Sequence, residues 1–255
     1  MSPHMETRPV LALHCSLAHG GAFTALSQLL PGVSLSAPDL MGHGKAPDWD
    51  RLSDYHAAAT EQALAATGGQ AIDIIGHSFG GTVALRLALE RPELVRSLTL
   101  IEPVLFAAAK AAQDPAWDGF IEDHRAFGGL VALGDKIEAA RQFHAMWGGD
   151  AGFDSLSPRM QSYMSDRIHL ITAPWNVILD DAPGLLAPGR LEGLTMPVLL
   201  LQGQKSPPII AAVNRALSAR LPRARSVEIA GAGHMLPISH AAEVAPVVQA
   251  HLEAA

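Results

Sequence analysis

The chain's organisation is clearest at residues 72–90, which read IDIIGHSFGGTVALRLALE. The β-branched run at 72–75 predicts a buried strand, and 82–90 has the composition of a helix. Between them stands GHSFG, residues 76–80. A serine on a sharp turn from strand to helix is lifted out of the sheet, and the flanking glycines fit because the turn leaves no room for larger side chains. We therefore expect Ser78 at the edge of a sheet, where the following helix directs backbone N–H groups toward developing negative charge.

Alternating strands and helices extend from this unit toward both ends of the chain. Short apolar runs predict further strands at 10–14, 33–37, 97–101, 197–202 and 226–230. Spacing or composition predicts helices at 22–30, 54–66, 209–221 and 243–252. This alternation predicts an α/β fold with a mostly parallel central sheet flanked by helices, whose chemistry lies in loops at the carboxyl ends of the strands.

Residues 104–190 interrupt the alternation. Alanine-rich and aromatic segments are broken there by glycine and proline, and clear strand patterns are missing. We therefore predict one α/β core formed by residues 1–103 and 191–255, with 104–190 as a mainly helical insertion. A chain of 255 residues suits one core with an insertion better than two independent domains.

Composition argues against several classes of protein. The formal net charge is −7, which disfavours a nucleic-acid partner because binding to phosphate backbones needs clustered Lys and Arg. Cys15 is the only cysteine, so an internal disulfide and a cysteine-based zinc cluster are excluded and a reducing compartment is favoured. Residues 1–9 lack the pattern of a signal peptide, and no apolar run reaches the length of a membrane span. We expect a cytoplasmic protein without a membrane partner.

A second motif, GAGH at residues 231–234, follows the last predicted strand. A serine hydroxyl is a poor nucleophile at neutral pH, so it needs an imidazole within reach to accept its proton and later protonate the leaving group. His234 is the candidate for this base, because a loop after the last strand is where the order serine, acid, histidine requires it. Others among the 12 histidines are interpreted as surface or hydrogen-bonded structural residues, namely His4, His56, His124, His144, His169 and His251.

Four motifs together resemble the α/β-hydrolase superfamily over nearly the whole chain. They are Leu13-His14 with the loop after it, PDLMGHG at 38–44, GHSFG at 76–80 and Gly233-His234. The resemblance implies an eight-stranded sheet, a cap between the sixth and seventh strands, and a triad of serine, acid and histidine. Only about nine residues precede the strand that ends at His14, so we expect the first two strands to be missing or reduced.

The acid departs from the family pattern. Members usually carry it in a Gly-x-x-Asp turn after the seventh strand, and the matching run here is GQKS, residues 203–206. Ser206 cannot supply the negative charge that stabilises an imidazolium. Some members place the acid at the end of the sixth strand, and Glu102 directly follows the strand predicted at 97–101. We prefer Glu102. The alternatives are Asp180 or Asp181, a serine–histidine dyad assisted by Ser206 through water, and a Glu102 that only ends a strand or holds the cap.

The family's oxyanion hole maps onto two backbone N–H groups, those of Phe79 and Ser16. The family commonly has His-Gly where this chain has His14-Cys15. We interpret Cys15 as a small buried thiol rather than as a second nucleophile.

The predicted cap is rich in aromatic residues and methionine. These side chains are sufficient to roof a pocket, and they are Trp117, Phe120, Phe127, Phe143, Met146, Trp147, Met160, Tyr163, Met164 and Trp175. We predict a substrate pocket lined by His14, Cys15, Trp117, Phe120, Phe143, Met146, Trp147 and Met235. Such a lining favours an uncharged, partly apolar small molecule.

The leading hypothesis is a serine hydrolase that cleaves a carboxylic ester or lactone through an acyl-enzyme, with no metal or organic cofactor. Thioesters and amides share the same tetrahedral intermediate and stay open. The alternatives are cofactor-free chemistry on the same triad, such as carbon–carbon bond hydrolysis, cyanohydrin lysis or perhydrolysis, and a ligand-binding relative that has lost turnover. Dehalogenase and epoxide hydrolase activities are disfavoured, because the resembling enzymes use a carboxylate nucleophile where this chain has Ser78.

Overall fold

A computed structural model describes residues 7–149 and 151–255. The interpretation of His4, and most of the segment 1–9, therefore lie outside the described residues.

The core of the described chain is a sheet of six strands that are all parallel. The strands are β1 (Arg8–Leu13), β2 (Val33–Ser36), β3 (Ile72–His77), β4 (Val95–Ile101), β5 (Val198–Gly203) and β6 (Ala224–Ile229). Their order across the sheet is β2-β1-β3-β4-β5-β6. The predicted fold class is confirmed, with small shifts at the strand ends. The described residues hold six strands, where the resemblance implied eight.

Helices occupy most of the connections. They are α1 (Thr24–Gln28), α2 (Tyr55–Ala66), α3 (Phe79–Glu90), α4 (Ala107–Ala111), α5 (Ala116–Leu133), α6 (Lys136–Trp147), α7 (Pro158–Arg167), α8 (His169–Thr172), α9 (Trp175–Ile178), α10 (Pro208–Ser218), α11 (Leu236–Ser239) and α12 (Ala241–Glu253). Single 3-10 turns lie at Gly20–Phe23, Pro92–Leu94 and Phe153–Ser155. No helix of the described residues has the length and apolar character needed to cross a bilayer.

The sheet is buried on both faces because successive side chains of a strand point to opposite sides. In β1, Leu11 and Leu13 pack into one apolar cluster together with residues of α2, α3 and α10. Val10 and Ala12 face the other cluster, which includes residues of α1 and α12. The result is three layers, with a helical layer on each side of the sheet.

Helices α4–α9 lie between β4 and β5. Several of them share a smaller apolar cluster that includes Phe127, Met164 and Ile168 and that also contacts Leu17, from the loop after β1. This arrangement places the inserted helices over the carboxyl ends of the strands. The division into a core (1–103 and 191–255) and a cap (104–190) stays a prediction.

Candidate active site

Ser78 occupies a tight turn between β3 and α3. Its backbone has φ 55° and ψ −117°, a conformation that costs a non-glycine residue about 1–3 kcal/mol. The turn is fixed by the Ser78 N–H, which donates to the Ile101 carbonyl at 2.9 Å. A Cβ on Gly80 would lie 2.2 Å from the Leu13 carbonyl oxygen, so glycine is required for the start of α3 to approach the end of β1. The turn holds the Ser78 hydroxyl at the carboxyl edge of the sheet.

His234 joins the serine to a buried carboxylate. Its Nε2 lies 3.0 Å from Ser78 Oγ, and its Nδ1 lies 2.6 Å from Glu102 Oε2. A carboxylate only accepts hydrogen bonds, so Nδ1 carries the proton and Nε2 is left to accept from the serine hydroxyl. The structure thus brings together three predicted residues from the turns after β3, β4 and β6.

Glu102 is fully buried and is surrounded by donors. Its own backbone has φ 49°, and its N–H donates to the Leu201 carbonyl at 2.8 Å. Besides His234, its carboxylate accepts from the Gly203 N–H at 2.6 Å and from the Ser206 hydroxyl. A buried carboxylate requires this degree of hydrogen bonding to remain ionised without a large free-energy cost.

The other candidates for the acid lie elsewhere. Asp180 is exposed and pairs with Lys110 at 3.3 Å. The carboxylate of Asp181 accepts from the N–H groups of Leu185 and Leu186 at 2.7 and 2.9 Å. Ser206 contacts Glu102 directly, whereas the sequence suggested assistance to the histidine through water.

Two further side chains contact His234: His77, which the sequence analysis did not assign to the site, and Trp147, which it placed in the substrate pocket. The His77 ring donates through Nε2 to the His234 carbonyl oxygen at 2.8 Å, and burial lowers the pKa of His77 well below its ordinary value. The Trp147 ring lies 4.7 Å from the His234 ring, centroid to centroid. The position of His77 inside GHSFG was the available signal, because any residue beside the nucleophile at the sheet edge is close to the base.

The N–H groups of Ser16 and Phe79 have no hydrogen-bond acceptor among residues 7–149 and 151–255, and both residues line the cavity above Ser78. The next amide, that of Leu17, donates to His43 Nε2 at 3.0 Å. The Leu40 N–H donates to His14 Nε2 at 2.8 Å. These two contacts bind the loop after β1 to the loop after β2.

Both of these loop histidines are neutral. Burial lowers the pKa of His14 to about 4 and that of His43 to about 3. Their Nδ1–H groups donate to the carbonyls of Cys15 and Met41 at 2.8 and 3.0 Å, so each Nε2 is free to accept a backbone N–H. Cys15 is itself buried, and burial raises the pKa of its thiol to about 12. The thiol is therefore protonated and weakly nucleophilic at neutral pH.

A cavity of about 890 Å³ lies above Ser78 and His234. Four of the eight predicted lining residues do line it, namely Cys15, Phe143, Trp147 and Met235. The prediction was wrong for His14, which is enclosed beneath the loop by its two backbone hydrogen bonds. It was also wrong for Trp117, Phe120 and Met146, which pack against the main apolar cluster without lining the cavity. Phe120 contacts the cavity only indirectly, through the His124 ring 4.0 Å away. The composition of this segment identified its apolar residues but could not show which of them line the cavity.

The remaining wall of the cavity was only partly anticipated. Additional lining residues include Leu17, Val104, Phe106, His124, Met160, Tyr163, Met164, Ile171 and Ile178. His124 corrects the sequence analysis, which treated it as a surface or hydrogen-bonded structural residue. It is 4% exposed, it lines the cavity, and its Nδ1 is buried without a partner in the described chain.

The described residues contain no cluster of three or more His, Cys, Asp or Glu side chains arranged to hold a metal ion. The polar side chains that line the cavity include Ser78 and His234, and also Asp39, Lys45, Arg159 and Tyr163.

The family model of the alpha/beta hydrolase fold matches residues 8–241 of this chain. The chain belongs to the α/β-hydrolase family. This α/β-hydrolase is 30% identical over 246 residues to the pimeloyl-[acyl-carrier protein] methyl ester esterase of Xanthomonas campestris pv. campestris (strain B100), a match that covers 92% of this chain and 91% of that protein.

The chain is also similar to part of a lipase and to the whole of one solved structure. Lipase LipV of Mycobacterium tuberculosis is 37% identical over 99 residues, which is 38% of this chain and 37% of the lipase. The crystal structure of NosK from Streptomyces actuosus superposes with a TM-score of 0.68 at 25% identity, covering 98% of this chain and 99% of that one. The α/β-hydrolase described here thus has full-length similarity to an esterase and local similarity to a lipase.

Proposed function

We propose that this α/β-hydrolase is a serine hydrolase that cleaves a small, partly apolar carboxylic ester or lactone through an acyl-enzyme. The observation that carries the proposal is the unbroken series of contacts from Ser78 Oγ to His234 at 3.0 Å and from His234 to Glu102 at 2.6 Å, at the base of the cavity. Serine, base and acid in contact are the arrangement that activates a hydroxyl nucleophile.

In the proposed first half-reaction, Ser78 Oγ attacks the carbonyl carbon of the ester while its proton passes to His234 Nε2. The carbonyl oxygen becomes an oxyanion and accepts hydrogen bonds from the N–H groups of Ser16 and Phe79. Glu102 stabilises the imidazolium through Nδ1–H. The carbon–oxygen bond to the alcohol then breaks, and the departing alkoxide takes the proton from His234 Nε2.

In the second half-reaction, a water molecule loses a proton to His234 Nε2 and attacks the acyl carbon. The bond between that carbon and Ser78 Oγ breaks, the proton returns to the serine, and a carboxylic acid is released. Every proton is carried by His234, so these steps use no metal or organic cofactor.

The cavity and the relatives support the proposed substrate class. Apolar side chains such as Phe143, Trp147 and Met164 line the cavity and suit an uncharged molecule that is partly apolar. The names of the two curated relatives, an esterase and a lipase, support ester hydrolysis. The single buried cysteine remains the reason for proposing a cytoplasmic location.

The alternative of a binding protein without turnover depended on Ser206 at the usual position of the acid. Glu102 now supplies a carboxylate to His234, and Ser206 donates to that carboxylate. These contacts support turnover over the alternative. Carbon–carbon bond hydrolysis and related reactions on the same triad would be distinguished from ester hydrolysis by identifying the products.

The decisive test is labelling with a fluorophosphonate, followed by peptide mass spectrometry. We expect rapid formation of an adduct on Ser78, because the reagent needs an activated serine but no knowledge of the substrate. Ser78→Ala and His234→Ala should abolish the adduct, whereas Cys15→Ala should label at the normal rate. A folded wild-type protein that forms no adduct would refute the proposed mechanism.

A further inference from the structure

His124 lies in a box of aromatic rings on the inner side of α5. Its ring centroid is 4.0 Å from that of Phe120, 5.4 Å from Phe106, 5.9 Å from Trp175, 6.4 Å from Trp147 and 6.5 Å from Phe127. No charged group contributes to its pKa, and burial alone lowers the pKa to about 4. The imidazole is therefore neutral at neutral pH, with one N–H donor and one acceptor nitrogen.

The hydrogen-bonding capacity of this ring is unused within the described chain. Nδ1 is buried without a partner, and Nε2 makes no hydrogen bond to any described residue. The indole N–H of Trp175, in the same box, also lacks an acceptor there. A buried polar group without a partner costs about 1–3 kcal/mol, and such groups in native proteins call for an explanation.

Other buried histidines show how the same residue behaves when it is structural. His14 and His43 each use both ring nitrogens to bind backbone groups. His144, which lines the cavity, contacts the Ala151 carbonyl through Nε2 at 2.7 Å. Unpartnered ring nitrogens also occur on His56 and His251, which do not line the cavity. His124 combines two properties, because it lines the cavity and neither of its ring nitrogens has a partner among the described residues.

The position of His124 relates it to the reacting atoms. One side chain, Trp147, bridges the two imidazoles, with its ring 4.7 Å from His234 and 6.4 Å from His124. A molecule bound at Ser78 that extends along Trp147 therefore reaches His124. The surrounding rings exclude water from this end of the cavity.

We propose that His124 is a specificity-determining residue that binds a hydroxyl group on the acyl chain of the substrate, remote from the scissile ester. The inference rests on the proposed function, since it takes Ser78 as the site of acylation. A hydroxyl both donates and accepts, so it pairs with either neutral tautomer of His124. It is also uncharged, which suits an aromatic box in which a carboxylate would have no cationic partner.

The acyl chain is assigned to this end because it is the part of the ester that stays attached to Ser78 while water attacks. The alcohol must leave the cavity after the first half-reaction. An enclosed end whose polar groups are the His124 ring and the Trp175 indole N–H holds the acyl chain in place between the two steps. A site that hydrogen-bonds a substrate hydroxyl also rejects analogues without it far more strongly than an apolar pocket does.

Binding in the Ser78→Ala protein tests the inference without turnover. The ligands are matched methyl esters of straight-chain acids with six to ten carbons, with and without a terminal hydroxyl group. Titration calorimetry should show at least tenfold tighter binding of the hydroxylated ester at one or more chain lengths. His124→Phe in the same background should reduce that ratio to one or below, because a phenyl ring fills the box but leaves the hydroxyl unpaired.

Two controls separate this role from general packing. Phe143→Leu changes another lining side chain and should weaken both esters while leaving their ratio unchanged. In the Ser78→Ala protein labelled with ¹⁵N-histidine, the His124 ring signals should shift with the hydroxylated ester and not with its plain counterpart.

Each outcome has a distinct meaning. Equal binding of both esters at every chain length overturns the role of His124. Failure of wild-type protein to form a fluorophosphonate adduct overturns the proposed hydrolysis, while the binding ratio still decides whether His124 recognises a hydroxyl.

Discussion

Two regions of the molecule line the same cavity, namely the turns at the strand ends and the helices between β4 and β5. They differ in the exposure of their side chains and in how their backbone is held. Ser78, Glu102 and His234 are at most 8% exposed, and the first two adopt left-handed backbone conformations fixed by bonds to neighbouring strands. The helices contribute side chains of more varied exposure: Trp147 and Met164 are 6% and 7% exposed, whereas Met160 is 45% exposed. Under the proposed mechanism, this contrast predicts that changes in the turns lower the rate with every substrate, whereas changes in the helices alter which substrate reacts.

Replacing the carboxylate of Glu102 with an amide should have the largest effect on kcat, and it tests the role of the turns at the strand ends. In Glu102→Gln the amide cannot hold His234 in the correct tautomer or stabilise its imidazolium, so kcat should fall by about 10⁴ for every ester tested. Steady-state kinetics with circular dichroism would establish this. Asp180→Asn, which changes an exposed carboxylate, is the matched control and should retain normal activity. Near-normal turnover in Glu102→Gln would show that another group supports the base.

Removing the hydroxyl of Ser206 should have an intermediate effect. Ser206→Ala takes one donor from Glu102 and leaves the ionised carboxylate under-satisfied, which we expect to cost about 2 kcal/mol, or about 30-fold in kcat, with KM unchanged. Ser206→Thr keeps the hydroxyl and should recover most of the rate. If alanine and threonine behave alike, Ser206 contributes only packing to the turn after β5.

The smallest expected effect is on the pH dependence of stability, and it concerns His124 on helix α5. The folded-state pKa of His124 is about 4, against about 6.5 when unfolded. The unfolded chain therefore binds more protons as pH falls below about 6.5, so stability present above that pH is lost between about 6.5 and 4. His124→Phe should reduce the slope of unfolding free energy against pH by at most about 1.4 kcal/mol per unit.

Urea denaturation at several pH values between 7.5 and 4.5 would measure that slope. An unchanged slope would mean that the folded protein protonates His124 as readily as the unfolded chain does.

Sequence reasoning succeeded where a function depends on local geometry. The turn around Ser78 requires small neighbours and a particular order of strand and helix, so GHSFG reveals it. Glu102 became a candidate because the turn at 203–206 holds no carboxylate. Its contact with Ser206 was missed as a direct bond, since it joins the ends of two neighbouring strands and depends on their register.

The helices between β4 and β5 were less predictable for a physical reason. Their apolar residues face either the sheet or the cavity, and the periodicity of a single helix does not distinguish the two surfaces. Phe143, Met146 and Trp147, all on helix α6, belong to or pack against the same main apolar cluster. Phe143 and Trp147 also line the cavity, whereas Met146 does not. The unpartnered nitrogen of His124 could not be predicted either, because the rings around it come from several separate segments of the chain.

The burial of the only cysteine also matters for spectroscopy. Cys15 is 4% exposed and remains a protonated thiol, so it should react slowly with maleimides and methanethiosulfonates. Leu133, at the end of α5, is 85% exposed. In Leu133→Cys the new thiol would be the one accessible to such reagents. A nitroxide or fluorophore could then be attached to α5 without replacing Cys15 in the loop after β1. Movement of that helix during turnover then becomes directly observable.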